Sequence, residues 1–180
     1  MSSKKNIITI LPYKENYTKN EAAAASLWVA EFFRNSKYKK NNTIIGSTKL
    51  SKNYLTKNYY NIPDKDIRKN LSSTTKNYCK LIINYLDNKN IDLIEIHNRP
   101  AVFNYLVKKI NTKYILYFHN DPLSMNGSKS LEERMHILSK VDCLIFVSQW
   151  TRDRFFIDID KKLLNKAKVI YQVLIKKINL

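Results

Sequence analysis

The chain has 180 residues, 44% of them hydrophobic and 12% aromatic, and carries a formal net charge of +17. That length supports one domain with a substantial core but not two, and the apolar content argues against global disorder despite the charge. No run approaches the roughly 20 apolar residues that span a bilayer, and Ile7–Leu11 behind Lys4 and Lys5 is too brief for a signal-peptide core.

Ile7–Leu11 is a short β-branched run ended by Pro12 and is predicted as a strand. Glu21 to Phe33 is Ala-rich and helical in pattern, with Ala23, Leu27 and Ala30 on one face. Thr43–Ile45 is a second strand, stopped by Gly46. Ser47 to Ser73 is polar and weakly periodic, a long loop with at most one short element. Asn77–Leu86 is a helix with Tyr78, Leu81, Ile82 and Tyr85 on one stripe. Ile91–Ile96 is a strand, and Pro100 suits the first turn of a helix whose buried face is Phe103, Leu106, Val107 and Ile110.

Tyr114–Phe118 is wholly apolar, as expected of a central parallel strand covered on both faces. His119–Ser130 is a loop holding Gly127, one of two glycines in the chain. Leu131, Met135 and Leu138 mark another helix, Cys143–Val147 a second apolar strand, Gln149–Phe156 a short helix and Lys168–Tyr171 a last strand. The tail Val173–Leu180 has no clear partner element. This alternation predicts an α/β fold: a single Rossmann-like domain, mostly parallel, with helices on both faces of the sheet.

Ligands of open α/β sheets bind outside the carboxyl ends of the strands. The segments that fall there are Pro12–Tyr17, His97-Asn98-Arg99-Pro100, His119-Asn120-Asp121-Pro122 and Ser148–Arg152. The His-Asn-Arg-Pro and His-Asn-Asp-Pro segments are near copies after successive strands, each able to present an imidazole and a carboxamide at the sheet edge. For His97, a ligand role and a structural role weigh equally. His119 favours function, because an apolar strand delivers it into a long loop. Asp121 either orients His119 or caps its turn, and Arg99 is an anion or hydroxyl ligand or a surface ion pair. Arg152 and Arg154 are assigned to the start of a helix, where a bound anion or plain solvent exposure would explain them.

Several chemistries are excluded. With two glycines there is no GxGxxG and no Walker loop, hence no glycine-cradled phosphate; GxSxG is also absent. Asp64-Lys65-Asp66 and Asp158-Ile159-Asp160 do not follow apolar strands, so they read as loop or helix-cap residues rather than as a metal site. Cys79 and Cys143 form no CxxC or Cys/His cluster, which argues against zinc and for a reducing compartment; Cys143 reads as a buried small hydrophobe. The lysine excess, accompanied by Asn and Ile, reads first as coding bias and a solvated surface, and second as attraction to nucleotide phosphates, acidic lipids or nucleic acid. No stacking motif or helix-turn-helix supports nucleic acid.

Ile94–Pro100, Tyr117–Pro122, Arg134, Phe146–Trp150 and Arg154-Phe155-Phe156, with Leu11–Glu15 and Ala25–Val29, resemble glycosyltransferase family 4, in particular members that build lipopolysaccharide or capsular polysaccharide. The resemblance covers most of the chain. It implies one half of a GT-B architecture: two Rossmann-like domains with the active site between them, the amino-terminal one binding the acceptor and the other a nucleotide sugar, with retention of configuration and no metal or other cofactor. It implies His119 as the catalytic residue beside the transferred sugar. Glu15, Asn16, Tyr17, His97, Asn98, Arg99, Asn120, Asp121, Ser148 and Arg152 would then line the acceptor and substrate cleft. It further implies a cytoplasmic enzyme acting on a glycan or lipid-linked acceptor, with peripheral contact to an anionic membrane.

Two departures stand out. Asn20-Glu21-Ala22 replaces a glycine-bearing loop, and Ile170-Tyr171-Gln172-Val173 stands where family members tend to have Ile-Tyr-Asn-Gly. The expected division is a domain over 1–172 and a linker or tail over 173–180, with the donor domain missing and the chain inactive without it. The alternative is a non-catalytic module that binds glycans or anionic lipids.

Overall fold

A computed structural model describes residues 5–49, 53–69 and 72–171. Seven strands form one all-parallel sheet: β1 (Ile7–Tyr13), β2 (Asn42–Ser47), β3 (Tyr59–Asn61), β4 (Leu93–His97), β5 (Lys113–Phe118), β6 (Cys143–Phe146) and β7 (Ala167–Val169), in the order β3-β2-β1-β4-β5-β6-β7. The α-helices are α1 (Ala24–Asn35), α2 (Asp64–Ile67), α3 (Thr74–Leu86), α4 (Pro100–Leu106), α5 (Leu131–Lys140) and α6 (Gln149–Phe155). The fold is the expected Rossmann-like α/β domain.

Strand order reverses between β1 and β4. Parallel strands joined by right-handed crossovers force helices made on opposite sides of that reversal onto opposite faces. The observed cores follow. Ile8, Ile10, Ile94, Ile96, Leu116, Phe118, Leu144 and Phe146 face one large core with α3–α6, through Tyr78, Ile82, Phe103, Leu106, Ile137 and Phe155. Leu11 and Ile44 face a smaller core with Val29 and Ala30 of α1, completed by Tyr17. Helices thus cover both faces, unequally.

Several boundaries differ from the sequence reading. β1 runs through Pro12 to Tyr13, because its register with β2 shifts between Ile10 and Tyr13, where the missing N–H of proline does no harm. β2 runs through Gly46 to Ser47. Tyr59 packs against Gly46, where a β-carbon would lie 2.6 Å from its hydroxyl. The polar stretch before α3 holds β3 and α2, with Tyr60 stacked on Tyr85 at 3.7 Å.

Two helix faces are corrected. α1 buries Ala25, Ser26, Val29 and Ala30, while Ala23 and Leu27 are exposed, because a run of alanines carries no phase. α5 exposes Leu131 and Met135 and buries Arg134, Ile137 and Leu138. Arg134 turns inward because its guanidinium donates to the carbonyls of Phe155 (2.5 Å) and Ile157 (2.6 Å), closing the end of α6. Cys143 is only half-buried. Asp160 caps a 3-10 turn over Lys161–Lys166, and Asp64 pairs with Arg68, so both Asp-x-Asp triplets serve local structure. Residues 173–180 lie outside the described residues. Among those described, no helix is long and apolar enough to cross a membrane.

Candidate functional site

The switch point between β1 and β4 opens at the carboxyl edge of the sheet, where Tyr13 ends β1 and His97 ends β4. In register, His97 pairs with Tyr117 of β5, so His97, Tyr117 and His119 project on the same face. His97 Nδ1 lies 3.0 Å from His119 Nε2, and the His97 ring stacks on Tyr117 at 4.1 Å. Trp28 of α1 closes the cluster, with its ring 5.5 Å from His97, 5.2 Å from Tyr117 and 5.5 Å, edge-on, from His119.

Burial pushes both imidazoles toward the neutral form. His97 is held well below the usual histidine range, by burial first and then by His119; His119 is pushed down to about 4 by burial. Two neutral rings share one proton across the 3.0 Å contact. His119 Nδ1 is buried with no hydrogen-bond partner. A buried imidazole nitrogen without a partner at the carboxyl edge of a Rossmann-like sheet calls for an explanation beyond packing.

Asn98 sets the geometry of this pair. It adopts a left-handed conformation (φ 55°), which turns the chain at the end of β4, and asparagine tolerates that conformation. Its Oδ1 accepts from the amides of His119 (3.2 Å) and Asn120 (3.3 Å), tying the β4 end to the loop after β5. Asn120 itself is exposed.

Arg99 precedes α4 and donates to the Asn98 carbonyl at 2.9 Å. Its guanidinium stands 5.6 Å over the Tyr13 ring and makes no ion pair among the described residues. Thr74 donates to the Tyr13 hydroxyl at 3.2 Å. That hydrogen bond, outweighing burial and helped by Arg99 and Lys14, lowers the Tyr13 pKa.

Glu15 reaches the amino end of α1, a helix terminus whose free amides favour an anion. Ala23, at the N-cap of α1, has no side-chain acceptor, and Glu15 Oε1 instead accepts from the Ser26 amide at 2.8 Å. Burial raises the Glu15 pKa, opposed by the Ser26 hydrogen bonds and by Arg99. Asn16 bridges Glu21 and the Lys49 amide.

The remaining predicted residues stand apart from the cluster. Tyr17 is fully buried in the α1 core, stacked on Tyr59 at 4.6 Å. Asp121 caps the 3-10 turn at Pro122–Ser124 and forms a two-point pair with Arg154 (3.1 and 3.3 Å), which lowers its pKa. Ser148 caps α6 in a reciprocal box with Thr151. Arg152 pairs with its neighbour Asp153 at 2.9 Å. Both Arg152 and Arg154 lie in the last turn of α6, not the first, where the helix dipole favours cations without any bound anion.

Sequence reasoning placed Tyr13 in a segment at the ligand edge without naming it as a site residue, and left Tyr117 and Trp28 out of the site. Tyr13 was legible as the residue after Pro12 at a strand end, whereas Trp28 sits in the alanine run whose phase was undefined. Two surface cavities, each of about 480 Å³, lie elsewhere: one at the amino ends of the strands beside Asn6, Thr43 and Asp92, the other between α1 and the β3 approach beside Arg34 and Lys57. Among the described residues, no three His, Cys, Asp or Glu side chains converge as metal ligands.

No protein-family model matches the sequence, and no curated protein does. Solved structures match its fold. A chain of sucrose-phosphate synthase from Thermosynechococcus elongatus aligns over 93% of this chain and 90% of its own length, with 11% identity and TM-score 0.61. A second, longer chain of that synthase aligns with 12% identity and TM-score 0.58, and a glycosyltransferase from Rickettsia africae ESF-5 with 17% identity and TM-score 0.57. This chain covers 48% and 43% of those two, less than half of each.

Proposed function

We propose that this chain is the acceptor-side domain of a two-domain glycosyltransferase that moves a sugar from a nucleotide-sugar donor to a glycan or lipid-linked acceptor. The observation that carries the reading is the neutral His97–His119 pair at the switch point, with His119 Nδ1 unpartnered. A neutral imidazole offers a hydroxyl-rich ligand a directional hydrogen bond without attracting bulk anions. Arg99, which makes no ion pair among the described residues, supplies a separate anchor for an acidic group.

Glu15 supports the acceptor side over the donor side. A carboxylate already caps the first helix, so that helix end repels the phosphates that a donor domain must hold. The diphosphate groups then belong to a second domain, in keeping with neighbours more than twice as long as the aligned region. A retaining, metal-independent reaction, an acceptor in lipopolysaccharide or capsule assembly, and a cytoplasmic enzyme docking peripherally on an anionic membrane extend this reading through the family resemblance.

The test is binding of the chain to a panel of oligosaccharides, lipid-linked saccharides and nucleotide sugars, followed by NMR. Saccharides should perturb the His119 ring and Arg99 side-chain signals, and His119→Ala should weaken binding about tenfold, the worth of one well-made hydrogen bond. Binding to nucleic acid or to none of the saccharides would sink the proposal. Saccharide binding that leads to no transfer when a donor domain is supplied would favour a non-catalytic glycan-binding module.

A further inference from the structure

Beneath the histidine pair, a line of polar groups crosses four strands inside an otherwise apolar sheet. Asn42 of β2, Thr9 of β1, Glu95 of β4 and Tyr117 of β5 are all buried. Thr9 Oγ1 lies 3.1 Å from Asn42 Oδ1 and 2.8 Å from Glu95 Oε2, and the Tyr117 hydroxyl donates to Glu95 Oε1 at 3.3 Å. No cation pairs with Glu95 among the described residues.

Counting protons constrains this line. A threonine hydroxyl carries one proton, yet both atoms it contacts are acceptors when Glu95 is ionised. Supplying the second proton from Glu95 satisfies every contact: Glu95 Oε2–H donates to Thr9 Oγ1, and Thr9 donates to Asn42 Oδ1. A lone buried carboxylate met only by hydroxyls is also costly, whereas a neutral acid is not. Burial raises the Glu95 pKa against the two hydroxyl contacts, the same direction.

We propose that Glu95 is a neutral carboxylic acid that serves as a positioning residue for the histidine pair. It anchors the Tyr117 hydroxyl, and the Tyr117 ring, stacked on His97, holds His97 against His119. The consequence for ligand binding rests on the proposed function; the protonation and the coupling to His119 do not.

The experiment uses the whole chain without ligand. Infrared spectroscopy at neutral pH should show the carbonyl stretch of a protonated buried carboxyl, and that band should vanish in Glu95→Gln. Glutamine is the isostere of the neutral acid, so Glu95→Gln should leave the His119 ring nitrogen NMR shifts in place. Tyr117→Phe keeps the ring but cuts the anchor, and should shift the His119 nitrogen resonances and lower any saccharide affinity several-fold. Absence of the protonated-carboxyl band overturns the proposal; Glu95 is then ionised, and Asn42 must present its amide nitrogen to Thr9. Unchanged His119 shifts in Tyr117→Phe overturn the positioning role even if the band is present. If the band and shifts behave as expected but no saccharide binds, the functional reading fails and this proposal stands.

Discussion

Acidification should destabilise this fold through its buried histidines. His119 falls from 6.5 to about 4 on folding, so the unfolded chain takes up a proton below pH 6.5 that the folded chain refuses. The stabilising contribution of the neutral ring is complete above 6.5 and is lost progressively as pH falls toward 4. Each pH unit in that window costs about 1.4 kcal/mol, so His119 alone removes about 2 kcal/mol between pH 7 and pH 5. His97 acts in the same direction. Glu15 and Glu95 oppose it, since acids whose folded pKa is raised gain stability as pH falls. A single pH profile therefore mixes signs, and the informative quantity is a difference. Urea unfolding of the wild type and of His119→Phe at pH 7, 6 and 5 isolates the His119 share. The variant should be less stable at pH 7 but should lose about 2 kcal/mol less than the wild type on going to pH 5. Parallel profiles would refute the reasoning, because they would mean that His119 titrates normally and is not held in a buried pair.

Two structural ties give independent predictions. Asn98→Ala removes the acceptor shared by the His119 and Asn120 amides and places a β-carbon without a compensating side chain at φ 55°; the expected loss is about 2 kcal/mol by chemical denaturation, while Asn98→Asp, which keeps the acceptor, should recover most of it. Arg134→Met fills the same space but strands the Phe155 and Ile157 carbonyls at the end of α6; about 3 kcal/mol is expected, read as a drop in Tm of roughly 6–12 °C.

What the sequence disclosed follows from how strongly burial constrains each segment. β5 and β6 were legible as unbroken apolar runs, as a parallel strand covered on both faces requires, and β1 and β4 as short runs rich in isoleucine and leucine. β3 was not: it is a three-residue edge strand, Tyr59–Asn61, held by pairing to β2 and by Tyr60 on Tyr85, and nothing in its polar surroundings sets a period. The α5 face was misassigned because Arg134 outranks Leu131 and Met135 for the interior, its donors meeting carbonyls that no apolar residue could satisfy. In the site, the His97 and His119 segments were legible as near copies after successive strands, and adjacent parallel strands bring such copies together. Tyr17, Asp121 and Ser148 occupy the right loops for a different reason: the chain needed a core aromatic, a turn cap and a helix cap there.

The placement of the polar cluster follows from chain topology. Once strand order reverses after β1, every right-handed crossover from β4 onward falls on the side of α3–α6 and buries the even-numbered positions Ile94, Ile96, Leu116 and Phe118 in the large core. The odd-numbered positions of the same strands include Glu95, His97 and Tyr117, of which His97 and Tyr117 meet α1 through Trp28. Each strand therefore serves two environments at a period of two: Ile94, Ile96, Leu116 and Phe118 close the large core, and odd-numbered side chains carry carboxyl and imidazole groups on β4 and a hydroxyl on β5 toward the thinner face. Moving either histidine by one position would bury an imidazole in the large core and empty the switch point. The alternation in Ile94-Glu95-Ile96-His97 thus puts a polar face on a central parallel strand, where burial on both faces alone would have selected an unbroken apolar run.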